Sequence, residues 1–424
     1  MKRNPTAFLS VSFMTLGLLA NIGQTEPWLS TAGKDIAQYP DNSGAYRGIV
    51  VGDFIQAGTS YDDEIVGDFG SHGVWLWDSG IWAQLSGADP DRIISGYLTA
   101  GETLVGDFGD LGLWQWSCTG SLPGVWHQLS AHNVSYMMTL DDNGDSYDDL
   151  HAAFPGYGLW RLNGSDGAWT AMASSLPLLG QVSDFASAWG QEGVHCFGPL
   201  GVWLFTKENS GGVISLQLSA AAAGDDHAGA NFGGVGAPGS LIMDFGPLGM
   251  WLAEDLGAFI FSWKKLSDQE PLRLKEVMLA NSAGYTYSEL LCDFKSASVP
   301  GLYNWRHHLP DGIWTKITDA EPGPGFCETF NLDGDTTGGD ADEEVAVDFG
   351  DLGLWVFKFE DGSWGQLSAL DPVFMVKTDL HGSQVTNCLV VDFGPGAGLW
   401  SFDGGAKAWT QLSSQSPDES FDSD

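Results

Sequence analysis

One pattern recurs along the chain, and it limits the possible folds more than anything else in the sequence. An Asp-Phe-Gly triplet is followed, two residues later, by Gly-x-Trp and then by a segment close to Trp-x-Gln-Leu-Ser. The markers read Asp68, Trp75 and Ser86, then Asp107, Trp114 and Ser130. They return at Asp244, Trp251 and Ser267, at Asp348, Trp355 and Ser368, and at Asp392, Trp400 and Ser413. Three weaker copies fill the gaps: Phe154 with Trp160 and Trp169, Phe197 with Trp203 and Ser219, and Asp293 with Tyr303 and Trp314. A period of roughly 40–50 residues is the length of one four-stranded propeller blade.

Each unit divides into four short apolar runs bounded by Gly, Asp, Ser or Pro. In the first unit these are 48–54, 64–69, 74–77 and 82–85. No segment carries a sustained helical period. The chain holds 58 Gly, 19 Trp and 23 Phe, which suits glycine turns and large wedges between sheets. The turn glycines are expected at backbone angles that a Cβ resists, with the Asp accepting backbone N–H groups inside the turn. One four-stranded sheet cannot bury both of its faces, whereas a closed ring of sheets buries them all. The expected fold is therefore all-β, a β-propeller of eight four-stranded blades over 24–413, with seven blades if one unit is an insertion.

The flanks differ from the repeats. Lys2 and Arg3 precede an apolar stretch at 8–20 that is too short to span a bilayer comfortably, so 1–23 reads as an export signal. The acidic tail 414–424 reads as disordered. Location is then secreted, periplasmic or at the cell surface, with no membrane insertion. Lys plus Arg total 17 against 55 Asp plus Glu, a net charge of −38. A field of that sign repels phosphate backbones and excludes nucleic acid as a partner. The five cysteines are odd in number and widely spaced, which is neither a disulfide framework nor a zinc pattern. Cys292 and Cys388 sit inside apolar runs and are expected as buried free thiols.

The third unit contains Asp141-Asp142-Asn143-Gly144-Asp145-Ser146-Tyr147-Asp148-Asp149-Leu150, followed by Gly158-Leu159-Trp160. An acidic loop, a short apolar strand and then a Gly-aromatic strand resemble the FG-GAP/VCBS repeats of secreted bacterial propellers, which are similar to the calcium-bearing blades of integrin α-chains. The resemblance covers about 48–413 and implies a propeller with structural Ca2+ in one to three blades. A hard cation needs oxygens at alternate positions. Asp141, Asn143, Asp145 and Asp149, with the Tyr147 carbonyl, are the expected ligands in the third unit. Asp333, Asp335 and Asp342 are the candidates in the seventh.

Other residues stand apart from the repeat. His307 and His308 read as a polar hairpin, and His195 with Cys196 as core. Trp77, Trp116, Trp189 and Trp305 are the candidates for stacking on a ligand, with Trp77 and Trp116 read as facing away from Trp75 and Trp114. The stretches 220–240 and 264–275 read as protruding loops, the second locally basic. The favoured function is a monomeric binding or adhesion propeller, without catalytic residues, that recognises an extracellular glycan or protein. A lectin with repeated sugar pockets between blades is the alternative. A polysaccharide hydrolase or lyase would need carboxylates with Arg or His converging at one end of the channel.

Overall fold

The computed structural model describes residues 48–417, apart from 56–61, 99–100, 184–190, 208–212, 223–226, 231–239, 256–260, 281–285, 295–299, 307–311, 324, 333–343, 360 and 383–386. The stretch 1–23 expected as an export signal, Asp333, Asp335, Asp342, Trp189, His307 and His308 lie outside the described residues, as does 418–424.

Eight antiparallel sheets, each of four strands consecutive in sequence, form the blades. They span 49–86, 92–130, 136–173, 179–219, 227–267, 271–318, 327–368 and 374–413. The first strand of every blade touches the first strands of its two neighbours, and that of blade 8 touches that of blade 1. The fold is thus an eight-bladed propeller with the first strands innermost. The turn between strands two and three opens on one face of the ring, as does the linker to the next blade; this is the turn face. The loops between strands one and two, and between three and four, open on the opposite, loop face.

The repeated residues account for the blade. In the tight turn, Asp68 Oδ1 accepts the Gly70 N–H at 3.0 Å, and Asp244, Asp348 and Asp392 bond their second-following glycines in the same way. The closing glycine is obligatory. Gly112 has φ 82°, and a Cβ there would lie 2.3 Å from the Ser130 carbonyl oxygen. The carbonyl before it takes two side-chain donors: Leu111 O accepts Trp114 Nε1 at 2.8 Å and Gln128 Nε2 at 3.0 Å. Leu352 O does the same with Trp355 and Gln366. The Ser ending the fourth strand bonds the N–H two residues on, as from His132 to Ser130 Oγ at 3.1 Å.

The Trp of the fourth strand joins neighbouring blades. Trp126 Nε1 donates to Leu85 O at 3.0 Å, Trp409 to Leu367 O at 3.1 Å, and Trp82 to Leu412 O at 3.0 Å across the closure. The closure also packs Ile49, Ile65 and Trp82 against Val390 and Leu399. There Asp63 Oδ2 accepts the Asp379 N–H at 2.7 Å and the Thr378 hydroxyl at 2.9 Å.

Two expectations are corrected. The basic stretch 264–275 is not a loop: it is the end of one strand, a short turn and the start of Pro271–Ala280. Trp77 and Trp116 do not face away from Trp75 and Trp114. Residues two apart on a strand share a face, and both members of each pair pack toward the preceding blade.

Candidate functional site

On the loop face, the acidic loop of blade 3 clasps both neighbouring blades. The Asp148 N–H donates to Tyr97 O at 2.8 Å, and Asp148 Oδ2 accepts the Tyr97 N–H at 2.7 Å. Tyr147 stacks on Tyr97 with centroids 5.8 Å apart. On the other side, the Gln191 N–H donates to Asp141 O at 2.7 Å. Within the loop, Asp141 accepts the N–H groups of Gly144, Asp145 and Ser146, and Asp145 accepts that of Tyr147.

The expected calcium donors do not come together as one cage. Asp149 is buried, with Oδ1 on the Gly164 N–H at 3.0 Å and Oδ2 on Arg161 at 2.6 Å and on Asn143 Nδ2 at 3.1 Å. Among the described residues, no three carboxylates of this loop place ligand atoms within 4.8 Å of one another. The Arg161 guanidinium supplies Asp149 with the positive charge that a calcium ion would, so the five-donor set does not fit the ion.

Beneath the loop lies a network absent from the sequence-level reading. Arg161 Nε donates to Asp142 Oδ1 at 2.8 Å, and Asp142 Oδ2 is bonded to His151 Nε2 at 3.0 Å. His151 Nδ1 meets His195 Nε2 of blade 4 at 3.0 Å. Burial pushes the Asp142 carboxyl up, but the hydrogen bonds and charges of His151 and Arg161 outweigh this and hold it well below the usual range. Burial, and then the adjoining Asp142, push Asp149 up. The alternation of Asp141, Asn143 and Asp145 drew attention to outward oxygens, whereas Asp142, between them, turns into the core. His195 is core, as expected, and all five cysteines are buried and outside any disulfide.

The candidate stacking tryptophans are mostly covered. Trp116 and Trp305 are at most 1% exposed, with Gly124 and Gly312 against their rings. Trp116 Nε1 donates to Pro123 O at 3.0 Å. Trp77 is partly exposed.

Exposed apolar side chains occur on both faces: Ile81, Tyr97, Val125 and Ile313 on the loop face, and a set at one repeated position on the opposite, turn face. The residue before the closing glycine of the turn is Leu111, Tyr157, Leu200, Leu248 and Leu352 in blades 2, 3, 4, 5 and 7, and each is more than half exposed. Leu178 and Leu370, in the linkers of the same face, add to this rim. Exposed carboxylates of Asp89, Asp91, Asp110, Asp351 and Asp371 lie among them. Between blades 2 and 3, a pocket on this face is lined by Ser130, His132, Phe154, Tyr157, Trp160 and Trp169. His132 and Tyr157 form its lip, with ring centroids 4.8 Å apart. The signal for this rim was present in the sequence, since the variable position of the turn is Leu in four units.

No protein-family model matches the sequence, and no curated protein matches it either. Solved structures are similar to it in fold. A chain from a crystal structure of BBS1N in complex with ARL6DN, soaked with mercury, aligns with a TM-score of 0.44 and 12% identity over 75% of this chain and 93% of that one. The same complex soaked with lead gives 0.42 and 11% over 85% and 92%.

Proposed function

We propose that this protein is an exported propeller of the FG-GAP/VCBS kind that acts as a binding module rather than an enzyme, docking a polypeptide partner on its turn face. The observation that carries the reading is the set of leucines and Tyr157 at one turn position in blades 2, 3, 4, 5 and 7, each more than half exposed. The hydrogen bonds of the turn do not require these side chains to be large and apolar, because they use the backbone N–H and carbonyl of the residue. Exposed apolar side chains repeated on one face among polar residues mark a site of association. The aromatic lining of the small pocket beside Tyr157 offers one apolar contact point. The surrounding carboxylates and the net charge of −38 select a partner that presents basic residues around apolar anchors.

A glycan partner is the second reading, favoured by the aromatic lining at Tyr157 and Trp160, on which a sugar ring can stack. The lining is particular to blade 3, since Leu replaces Tyr157 in blades 2, 4, 5 and 7, which argues against one sugar pocket repeated around the ring. For the hydrolase or lyase reading, the carboxylate joined to both a His and an Arg among the described residues is Asp142, and it is sealed: Asp142 and His151 are at most 1% exposed and cannot reach a substrate.

The test compares fluorescence-labelled basic amphipathic peptides, acidic amphipathic peptides and a glycan array on the same protein. Basic peptides are expected to bind, more weakly at high salt, and to lose at least ~10-fold in affinity in a Leu200→Asp, Leu248→Asp variant and in Tyr157→Ala. Binding that ignores all three substitutions, or that appears on the glycan array alone, overturns the reading.

A further inference from the structure

In four blades the residue that opens the second strand is a buried carboxylate: Glu64, Asp149, Glu192 and Glu344. Two of them face back into their own loop. Glu64 accepts the Phe54 and Ile55 N–H groups at 2.7 and 2.9 Å, and Glu344 accepts that of Leu332 at 2.7 Å. In blade 8 this position is Cys388, and its surroundings change with it.

Cys388 lies directly across from Asp403 in the neighbouring strand, so the two side chains share a face of the sheet. The loop above returns His381 onto the pair, with Gly382 at φ 62° following it and its own N–H on Asp379 Oδ1 at 3.2 Å. His381 Nε2 is bonded to Asp403 Oδ2 at 3.0 Å. Sulfur, imidazole nitrogen and carboxylate oxygen all lie within 4.8 Å of one another, the one such group of three among the described residues.

We propose that His381, Cys388 and Asp403 form a binding site for a borderline divalent cation, zinc in the first instance. Three different donors argue for this ion class. A thiolate is a poor ligand for calcium or magnesium, whereas mixed sulfur, nitrogen and oxygen donors are those of zinc. The ligand lengths of zinc, ~2.0–2.3 Å, set donor separations of about 3.3–3.7 Å in a tetrahedron. Contraction of the present triangle by about 1 Å therefore suffices, and it falls on a histidine carried by a loop. The supporting shell is in place. Asp403 Oδ1 accepts the Ala406 N–H at 2.9 Å, leaving Oδ2 to point at the site. The His381 side chain is half exposed and that of Cys388 buried. The fourth coordination position then opens toward water, as in zinc sites that exchange a ligand. On binding, the Cys388 thiol proton leaves to solvent and the sulfur–metal bond replaces it.

The experiment titrates the metal-free full chain with Co2+ as a spectroscopic probe, followed by displacement with Zn2+. One equivalent of Co2+ is expected to bring a sulfur-to-metal charge-transfer band and the intense visible bands of tetrahedral cobalt, both abolished by one equivalent of Zn2+ and untouched by Ca2+. Cys388→Ser is expected to remove the charge-transfer band. His381→Ala, at an exposed loop position that leaves the strand unaltered, is expected to weaken binding at least ~10-fold even if the serine variant folds poorly. Absence of the band in the native chain, or its survival in His381→Ala at unchanged affinity, overturns the proposal.

Discussion

At the scale of single residues, the structure distinguishes a glycine that needs its conformation from one that also needs its space. Gly112 and Gly120 have nearly the same φ, 82° and 84°, but a Cβ at Gly112 meets the Ser130 carbonyl, whereas at Gly120 it meets nothing within 4 Å. Gly120→Ala is expected to cost about 1 kcal/mol from backbone strain alone, and Gly112→Ala at least about 3 kcal/mol, both measured by urea unfolding. Equal costs would show that the turn and the fourth strand separate easily. Arg161 is a different kind of single point. It is the guanidinium shared by buried Asp142 and Asp149. Arg161→Met leaves those carboxylates without their cation and is expected to lower stability by about 3–5 kcal/mol. A loss below about 1 kcal/mol would mean that water reaches the pair.

At the scale of the element, the fourth strand is a connector as much as a sheet edge. Its Trp donates to the preceding blade and its Gln to the turn of its own blade. Trp409→Phe keeps an aromatic ring but deletes the pyrrole with its Nε1–Leu367 bond, and is expected to cost at least about 1 kcal/mol. The blade 3 loop gives a second element-scale prediction. Because Arg161 holds Asp149, adding Ca2+ to metal-free protein is expected to leave the melting temperature unchanged. A rise of several degrees would restore the ion to that loop. These elements also show how far the sequence could be read. The strands, the turn Asp and the eightfold count follow from local spacing, because each is built from residues within one unit. The Asp142–His151–His195 network does not, because His195 belongs to the next blade and the register between blades leaves no trace in the period. The His381, Cys388 and Asp403 group, all within blade 8, was hidden for a different reason. Its members lie in a loop and two strands, and a search for hard-cation spacing passes over a cysteine.

At the scale of the whole molecule, burial acts on the acidic chain in one direction. Desolvation first of all pushes Glu64 up to about 8, Glu102 and Asp107 to about 7, and Asp348 to about 6. A carboxyl whose pKa is higher folded than unfolded contributes stability that is fully present below the unfolded value. That contribution is lost as pH rises through the folded value. The loss falls between about pH 4.5 and 8, and repulsion within the net charge of −38 adds to it. The melting temperature is expected to be several degrees higher at pH 5 than at pH 8.5, with Glu64→Gln flattening part of the slope. A profile that rises toward pH 8.5 would contradict the assignment.

Each blade is made from strands consecutive in the chain, and none borrows a strand from a distant segment. Any blade can therefore be completed as soon as its own last residue emerges from the ribosome, without waiting for a distant segment. The exception is the last joint, where Trp82 must find Leu412 across 330 residues. Folding then becomes a vectorial process that lays down an open arc and ends in a single long-range docking event. Until that event the first and last blades each present a bare sheet face, so the moment of closure is when the nascent protein is most exposed to aggregation.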